Sequence, residues 1–392
     1  MTYKPFLPDR KSQFDELLVV QQTQEINLKS VYGISALRDT VSVVGTGSVT
    51  NADGEYKLTT GAATSDVARL ASAERGRYVA GQDSVTGIGV RVSDTPTGNI
   101  DLKWGYYGDD DGYGYGVDAT GIYVFTRRGA VDTKVYQSSW NNDVADGTGS
   151  SGVTLTLSEG NIFQVDFTWY GFGTITFNLV SYDPNTLEQK VVTLHRTRIT
   201  GQTSIVNPNQ PITAEVVNGA TATAFDSLYI AGRQFSTRGK FIPSRRITSG
   251  RRLALGSINT TFLPLMSMRR KTAFESVSVK LNGLSVITDA DLIVQIRLDA
   301  SLTGASFTTP DDHSAAETAL ELDSSASAVT GGEVLWEGLI DSSGVGNSAS
   351  GFANLPLLDV DLIGVLPITV CVRRVTGTNA EVSGVLRVLE EW

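Results

Sequence analysis

Between Asn161 and Val180 apolar and polar residues alternate without a break in phase. Phe163, Val165, Phe167, Trp169, Ile175, Phe177 and Leu179 fall on one side, while Gln164, Asp166, Thr168, Thr174, Thr176 and Asn178 fall on the other. Successive side chains leave a strand on opposite faces, so a period of two marks a half-buried strand. In the middle, Tyr170-Gly-Phe-Gly173 supplies glycines that tolerate a tight reversal. The stretch predicts an antiparallel hairpin with a wide aromatic face turned inward. Each fully buried Phe or Ile is worth about 1.5–3 kcal/mol, enough to make this hairpin the centre of a core.

The same period recurs along the chain. Val41–Val44 and Glu55–Thr60 read as strands flanking the turn Asn51-Ala-Asp-Gly, and Ser84–Ser93 and Asn99–Tyr107 follow. Gly121–Ala130, Lys190–Thr200, Ile212–Val217 and Ala222–Phe235 continue the series. Ser65–Arg75 has a capping residue and a helix-like composition, but its neighbours are strands and it is read as one. Residues 36–238 therefore predict a two-sheet β-sandwich. Before them, residues 1–35 carry Pro5, Pro8 and the apolar run Phe14–Val20. They read either as an arm docking on its own domain or a neighbouring subunit, or as a first edge strand.

A second set of strands is expected at Glu275–Leu281, Asp291–Ala300, Gly332–Leu339, Leu357–Ile363, Pro367–Arg374 and Glu381–Leu389. They predict a smaller sandwich over 272–392, with a polar excursion at Asp311–Ser327 holding a short helix at Ala315–Leu322. The fold class is all-β: two sandwich domains preceded by an extended arm. Between the domains, residues 239–271 change character. From Arg233 to Lys271 there are ten cations, including Arg245, Arg246, Arg251 and Arg252, and no Asp or Glu. Phe241, Phe262 and Leu265 in the same stretch want cover. The segment reads as a basic interface that meets an acidic surface of a neighbouring copy, or as a solvated linker.

Composition narrows the function classes. The formal charge of −10 argues against general nucleic-acid binding, and no stacking aromatics alternate with the arginines. No apolar run approaches the roughly 20 residues of a membrane span, and the first residues lack a signal-peptide core. Cys371 is the single cysteine, so no intrachain disulfide forms, which fits a reducing cytosol.

The candidate chemistry is sparse. Asp109, Asp110 and Asp111 stand among glycines and tyrosines and offer hard oxygen ligands for calcium, while Tyr113 and Tyr115 offer rings for sugar stacking. An EF-hand spacing is absent, and adjacent carboxylates also suit a solvated hairpin tip. His195 sits on a strand and His313 in a loop; no nucleophile elbow, phosphate loop or zinc-spaced set occurs. A glycosidase carboxylate pair would have to come from Asp109–Asp111 and Asp166. The inventory predicts no catalysis and no cofactor.

Several motifs in order carry a resemblance. Phe14-Asp-Glu-Leu-Leu-Val is followed by Gly61-Ala-Ala-Thr-Ser, Asp111-Gly-Tyr-Gly-Tyr-Gly and Ser139-Trp-Asn. Then come the hairpin from Phe167 to Phe177, Asn207-Pro-Asn-Gln-Pro, Leu302-Thr-Gly-Ala-Ser-Phe and Ala328-Val-Thr-Gly-Gly. Together they resemble a family of structural proteins in the virions of tailed bacteriophages. The resemblance implies a lectin-like jelly roll in a virion component without enzymatic activity, assembled in the host cytoplasm. It implies a capsid-decoration, head-fibre, tail or baseplate subunit. Its partners would be itself, as a homotrimer, and other virion proteins, with no membrane and no nucleic acid. The alternative is a glycan-binding module recognising host-surface polysaccharide through Tyr113 and Tyr115.

Overall fold

The computed structural model describes residues 22–182, 188–199, 205–220, 224–239, 245–275, 277–340, 362 and 364–392. The chain divides into two compact units, Met1–Ile242 and Pro243–Trp392. Both are built from β-sheet, as the alternation predicts.

The first unit pairs two antiparallel sheets. The larger runs β13 (Gln189–Arg198), β12 (Thr174–Tyr182), β11 (Asn161–Phe167), β6 (Asp83–Val92), β15 (Phe225–Arg238), β4 (Glu55–Thr60) and β3 (Ser48–Ala52). An eighth strand, β1 (Gln22–Leu28), pairs with the second half of β15, Gln22 opposite Arg238 and Leu28 opposite Arg233. The edge-strand reading thus holds for 22–28, and the rest of the expected arm up to residue 21 lies outside the described residues. The smaller sheet runs β10 (Val131–Tyr136), β9 (Gly121–Arg128), β8 (Gly112–Asp118), β7 (Ile100–Tyr107), β14 (Pro211–Asn218), β5 (Val67–Arg75) and β2 (Asp39–Val44).

The hairpin at 161–182 forms as expected, with its aromatic face inward. Phe163 faces Leu179, Val165 faces Phe177 and Phe167 faces Ile175, all buried. They meet Trp104, Tyr106, Tyr113 and Tyr115 from the smaller sheet in one aromatic core; Phe163 lies 5.2 Å from Trp104 and 4.7 Å from Tyr115. Ser65–Arg75 contributes the strand β5 and no helix, because its inward side chains Ala68 and Leu70 are needed under the core.

In the second unit a three-stranded sheet, β16 (Arg245–Ile258), β25 (Ala380–Glu391) and β18 (Ser278–Thr288), accompanies a five-stranded one. The latter runs β21 (Leu320–Asp323), β17 (Leu263–Arg270), β24 (Ile368–Arg374), β19 (Leu292–Leu298) and β23 (Glu333–Ile340). A ribbon of β20 (Ser301–Thr303) and β22 (Ala328–Thr330) completes it and covers Cys371, whose thiol burial pushes up to about 12. Most of the residues expected as a basic linker are thus the strands β16 and β17. The helix expected at Ala315–Leu322 does not form. Glu390, fully buried, instead accepts hydrogen bonds from the Thr318 hydroxyl (2.6 Å) and the Ala319 N–H (2.8 Å), and the chain runs on into β21. Of the strand expected at 357–363, only residue 362 is described.

Candidate functional site

At one end of the first sandwich the β11–β12 turn carries aromatic side chains into solvent. The N–H groups of Phe172 and Gly173 both donate to the carbonyl of Trp169, at 2.9 and 2.8 Å. A side chain at Gly173 would place its Cβ 1.2 Å from the Thr168 carbonyl oxygen, so this turn closes only on glycine. Tyr170 and Gly171 take positive φ of 37° and 76°. The reversal leaves Tyr170 51% and Phe172 69% exposed. Behind them Tyr78, from the loop after β5, sets its ring edge-on against Trp169 (5.4 Å) and Tyr170 (6.3 Å). Its hydroxyl accepts the Tyr170 N–H at 3.1 Å.

This aromatic turn is tied to the aspartate loop through one short segment. Trp169 Nε1 donates to the Ile205 carbonyl at 3.2 Å, and two residues on the Asn207 N–H donates to Asp111 Oδ2 at 3.0 Å. Asn209 Oδ1 accepts the Tyr78 N–H (2.8 Å), and Tyr106 Oη accepts the Gln210 N–H (3.0 Å). Trp169, Tyr78 and Asp111 are therefore all braced by residues 205–210. Asp111 is 5% exposed, and its Oδ1 is buried without a hydrogen-bond partner among the described residues. Asp110 faces solvent, and its carbonyl accepts the Ala130 N–H at 2.9 Å. Asp109 is also exposed and bonds Arg69, whose guanidinium holds that carboxyl below its usual range.

The three carboxylates thus do not converge: Asp109 bonds Arg69, Asp111 the Asn207 N–H, and Asp110 faces solvent. Among the described residues no three His, Cys, Asp or Glu side chains are grouped to hold a metal ion. The tyrosines need a plain correction. Tyr113 and Tyr115 are 1% and 0% exposed inside the core, so neither offers a face to a sugar. In Gly112-Tyr-Gly-Tyr-Gly116 it is the glycine side that turns outward. The exposed rings beside the aspartate loop are Tyr170 and Phe172, which sequence reasoning took only as turn residues. Two large aromatics in a turn otherwise made of glycine were the available signal.

On the face of the smaller sheet away from the core, Tyr107, Tyr123 and Phe125 are buried and Tyr136 packs against them. Tyr123 and Phe125 lie down over Gly116 and Gly114. An ion network closes over them: Lys103 Nζ lies 2.9 Å from Asp132 Oδ2, Arg127 Nε 2.7 Å from Asp132 Oδ1, and Lys134 Nζ 2.9 and 3.0 Å from Asp101 and Asp118. Burial raises the pKa of Asp132, but hydrogen bonds from Arg127 and Lys103 outweigh it and keep the carboxyl low. A carboxylate so clamped is no proton donor near neutral pH. Asp166, the remaining glycosidase candidate, lies on the larger sheet, ion-paired with Arg238 at 3.2 Å and apart from this network.

The residues expected to form a basic interface do not share one surface. Arg246 bonds the Glu317 carbonyl, and Arg252 donates to the carbonyls of Pro264 (2.9 Å), Leu265 (3.3 Å) and Ala326 (3.3 Å). Leu265 is fully buried. Phe262 lies between the guanidinium groups of Arg297 (4.8 Å) and Arg373 (5.1 Å). Among those whose side chains are described, only Arg251 is more than half exposed, 3.3 Å from Asp312. The backbone of Arg245 pairs opposite Glu391 in β25, and Phe241 lies outside the described residues.

No protein-family model matches the chain, and no curated protein matches it. Solved structures with distant backbone similarity include the following three. An endo-1,3-β-glucanase from Streptomyces sioyaensis has a TM-score of 0.38 at 8% identity, covering 56% of this chain and 97% of that one. The carbohydrate recognition domain of Emp46p, in its metal-free form, gives 0.32 at 10% identity, over 54% and 98%. Lectin I-B4 from Griffonia simplicifolia, also metal-free, gives 0.32 at 8% identity, over 55% and 100%. Similarity at this level transfers neither activity nor site residues.

Proposed function

We propose that the first unit is a carbohydrate-binding module whose ligand, a surface polysaccharide, sits on the end formed by the β11–β12 turn, residues 205–210 and the Asp109–Asp111 loop. The observation that carries this reading is the exposed pair Tyr170 and Phe172, braced through Trp169, Ile205 and Asn207 to Asp111. Sugar recognition calls for apolar ring faces against C–H surfaces beside a few fixed polar groups, and this end supplies both. Phe172 and Tyr170 take the pyranose faces, and Asp110 and Asn207 take hydroxyls, while buried Asp111 holds Asn207 in place. Binding to bacterial surface polysaccharides, read together with hydrogen exchange, tests the site. Added protection should appear at 168–173 and 205–210. Protection confined to the ion network on the smaller sheet would move the site there.

A second reading, a structural subunit of a tailed-phage virion, is favoured by the three-stranded sheet of the second unit. Ile247, Leu253 and Ile287 are each more than half exposed there, the kind of apolar surface that oligomers cover. Sedimentation as a monomer at micromolar concentration would count against the homotrimer this reading expects.

A further inference from the structure

The outer face of the larger sheet carries a charged group of a different kind at the end of β15. Arg238 bonds Asp83 of β6 through Nη1, and its Nη2 lies 3.2 Å from Asp166 Oδ2 of β11. Asp83 is 2% exposed, and the Asp166 side chain 13%. Each carboxylate has an Oδ1 that is buried with no hydrogen-bond partner among the described residues. One guanidinium therefore serves two carboxylates where water hardly reaches. Two like charges so close and so desolvated do not both ionise freely.

The neighbouring strands do not cancel the excess. β12 offers uncharged Asn178, and Arg196 on β13 eases Asp166 only through its charge. Glu25, the carboxylate of β1, is turned to the backbone N–H of Arg77 at 3.3 Å. Burial accordingly pushes Asp83 up to about 7, with Asp166 adding to the rise and Arg238 opposing it. Asp166 is raised as well, again chiefly by burial.

Arg238 is also where β1 is fastened. Its backbone lies in register between Gln22 of β1 and Asp83 of β6, and the Thr23 hydroxyl donates to the carbonyl of the next residue, Gly239, at 3.0 Å. We propose that Asp83, Arg238 and Asp166 form a proton-operated latch on β1. It is closed by one proton taken from solvent and held between the two carboxylates, and loosened when both ionise. β1 is held more firmly in mildly acidic than in neutral or alkaline surroundings. The sign follows from linkage. The closed form keeps a proton that an opened Asp83 gives up, so closure weakens as pH rises toward about 7 and then levels off.

Amide hydrogen exchange on the full chain, expressed as protection factors so that the intrinsic pH dependence cancels, reads the latch directly at Gln22–Gln24 and Arg238–Gly239. About tenfold higher protection is expected at pH 6 than at pH 8, with β10 at the far edge of the other sheet showing no such difference. Asp83→Asn, which cannot ionise, should bring the ratio close to one. Asp166→Asn should lower the ratio without abolishing it, because Asp83 then has Arg238 to itself but stays buried. A wild-type ratio near one, or a tenfold ratio that survives in either variant, would overturn the proposal.

Discussion

The Tyr115 hydroxyl lies 2.9 Å from the carbonyl oxygen of Gln164, so a side chain of the smaller sheet is tied through the core to a strand of the larger one. The Asn178 carbonyl stands at the same distance from that hydroxyl. Gln164 and Asn178 face each other across β11 and β12. Tyr115 therefore fixes the central hairpin and takes no part in ligand contact. Tyr115→Phe should lower stability by about 1–2 kcal/mol in a denaturant titration, the cost of a lost buried hydrogen bond. Polysaccharide binding should be unchanged; lost binding with unchanged stability would put Tyr115 in the site after all.

A second tie between the sheets is ionic. Arg233 of β15 and Asp39 of β2 bond each other with both side chains fully buried, and Tyr56 lies under the guanidinium at 5.1 Å. Asp39→Ala would strand a buried cation whose Nε and Nη1 already lack partners. The expected loss is about 3–5 kcal/mol. Equilibrium denaturation measures it, and a change below about 1 kcal/mol would contradict the burial.

The glycine side of β8 makes a different prediction. A Cβ at Gly116 would fall 2.3 Å from the Tyr123 ring and 2.7 Å from the Leu102 carbonyl oxygen. Gly116→Ala should cost about 1–3 kcal/mol by overpacking, and the melting temperature should fall accordingly. An unchanged melting temperature would mean that Tyr123 does not lie over this strand.

Acid should dismantle the ion network on the smaller sheet. Asp132 is held below its usual range, so its contribution is complete above the ordinary carboxylate pKa and is lost as pH falls through the depressed value. Stability measured across roughly pH 5 to 2 should fall less steeply in Asp132→Asn than in the wild type. Parallel slopes would show that Arg127 and Lys103 do not hold this carboxylate in solution. The sign is opposite to that expected of Asp83, whose raised value weakens the fold as pH rises.

The strands were legible because one face of each is buried, and burial writes a period of two into the chain. The all-β class and the inward face of Phe163, Val165 and Phe167 follow from that alone. Alternation does not say which face is inside when both residue types are unusual. In β8 the tyrosines looked like a displayed row, yet it is the glycines that face out, because rings from β9 need their space. The cluster of arginines misled for a related reason. Strand geometry sends Arg246 and Arg252 to one face of β16 and Arg251 to the other, so density of charge along the chain was not density on a surface. Asp83, Asp166 and Arg238 come from three strands far apart in sequence, and only the pairing of β6 with β11 and β15 brings them together.

The claim that sugars dock on the braced aromatic turn is tested most directly by removing its two exposed rings. Tyr170→Ala/Phe172→Ala, titrated calorimetrically against a polysaccharide that the wild type binds, should lose at least about tenfold in affinity, equivalent to roughly 1.4 kcal/mol. Its thermal melt should match the wild type, because neither side chain is in the core. Undiminished binding by the double variant would contradict the site.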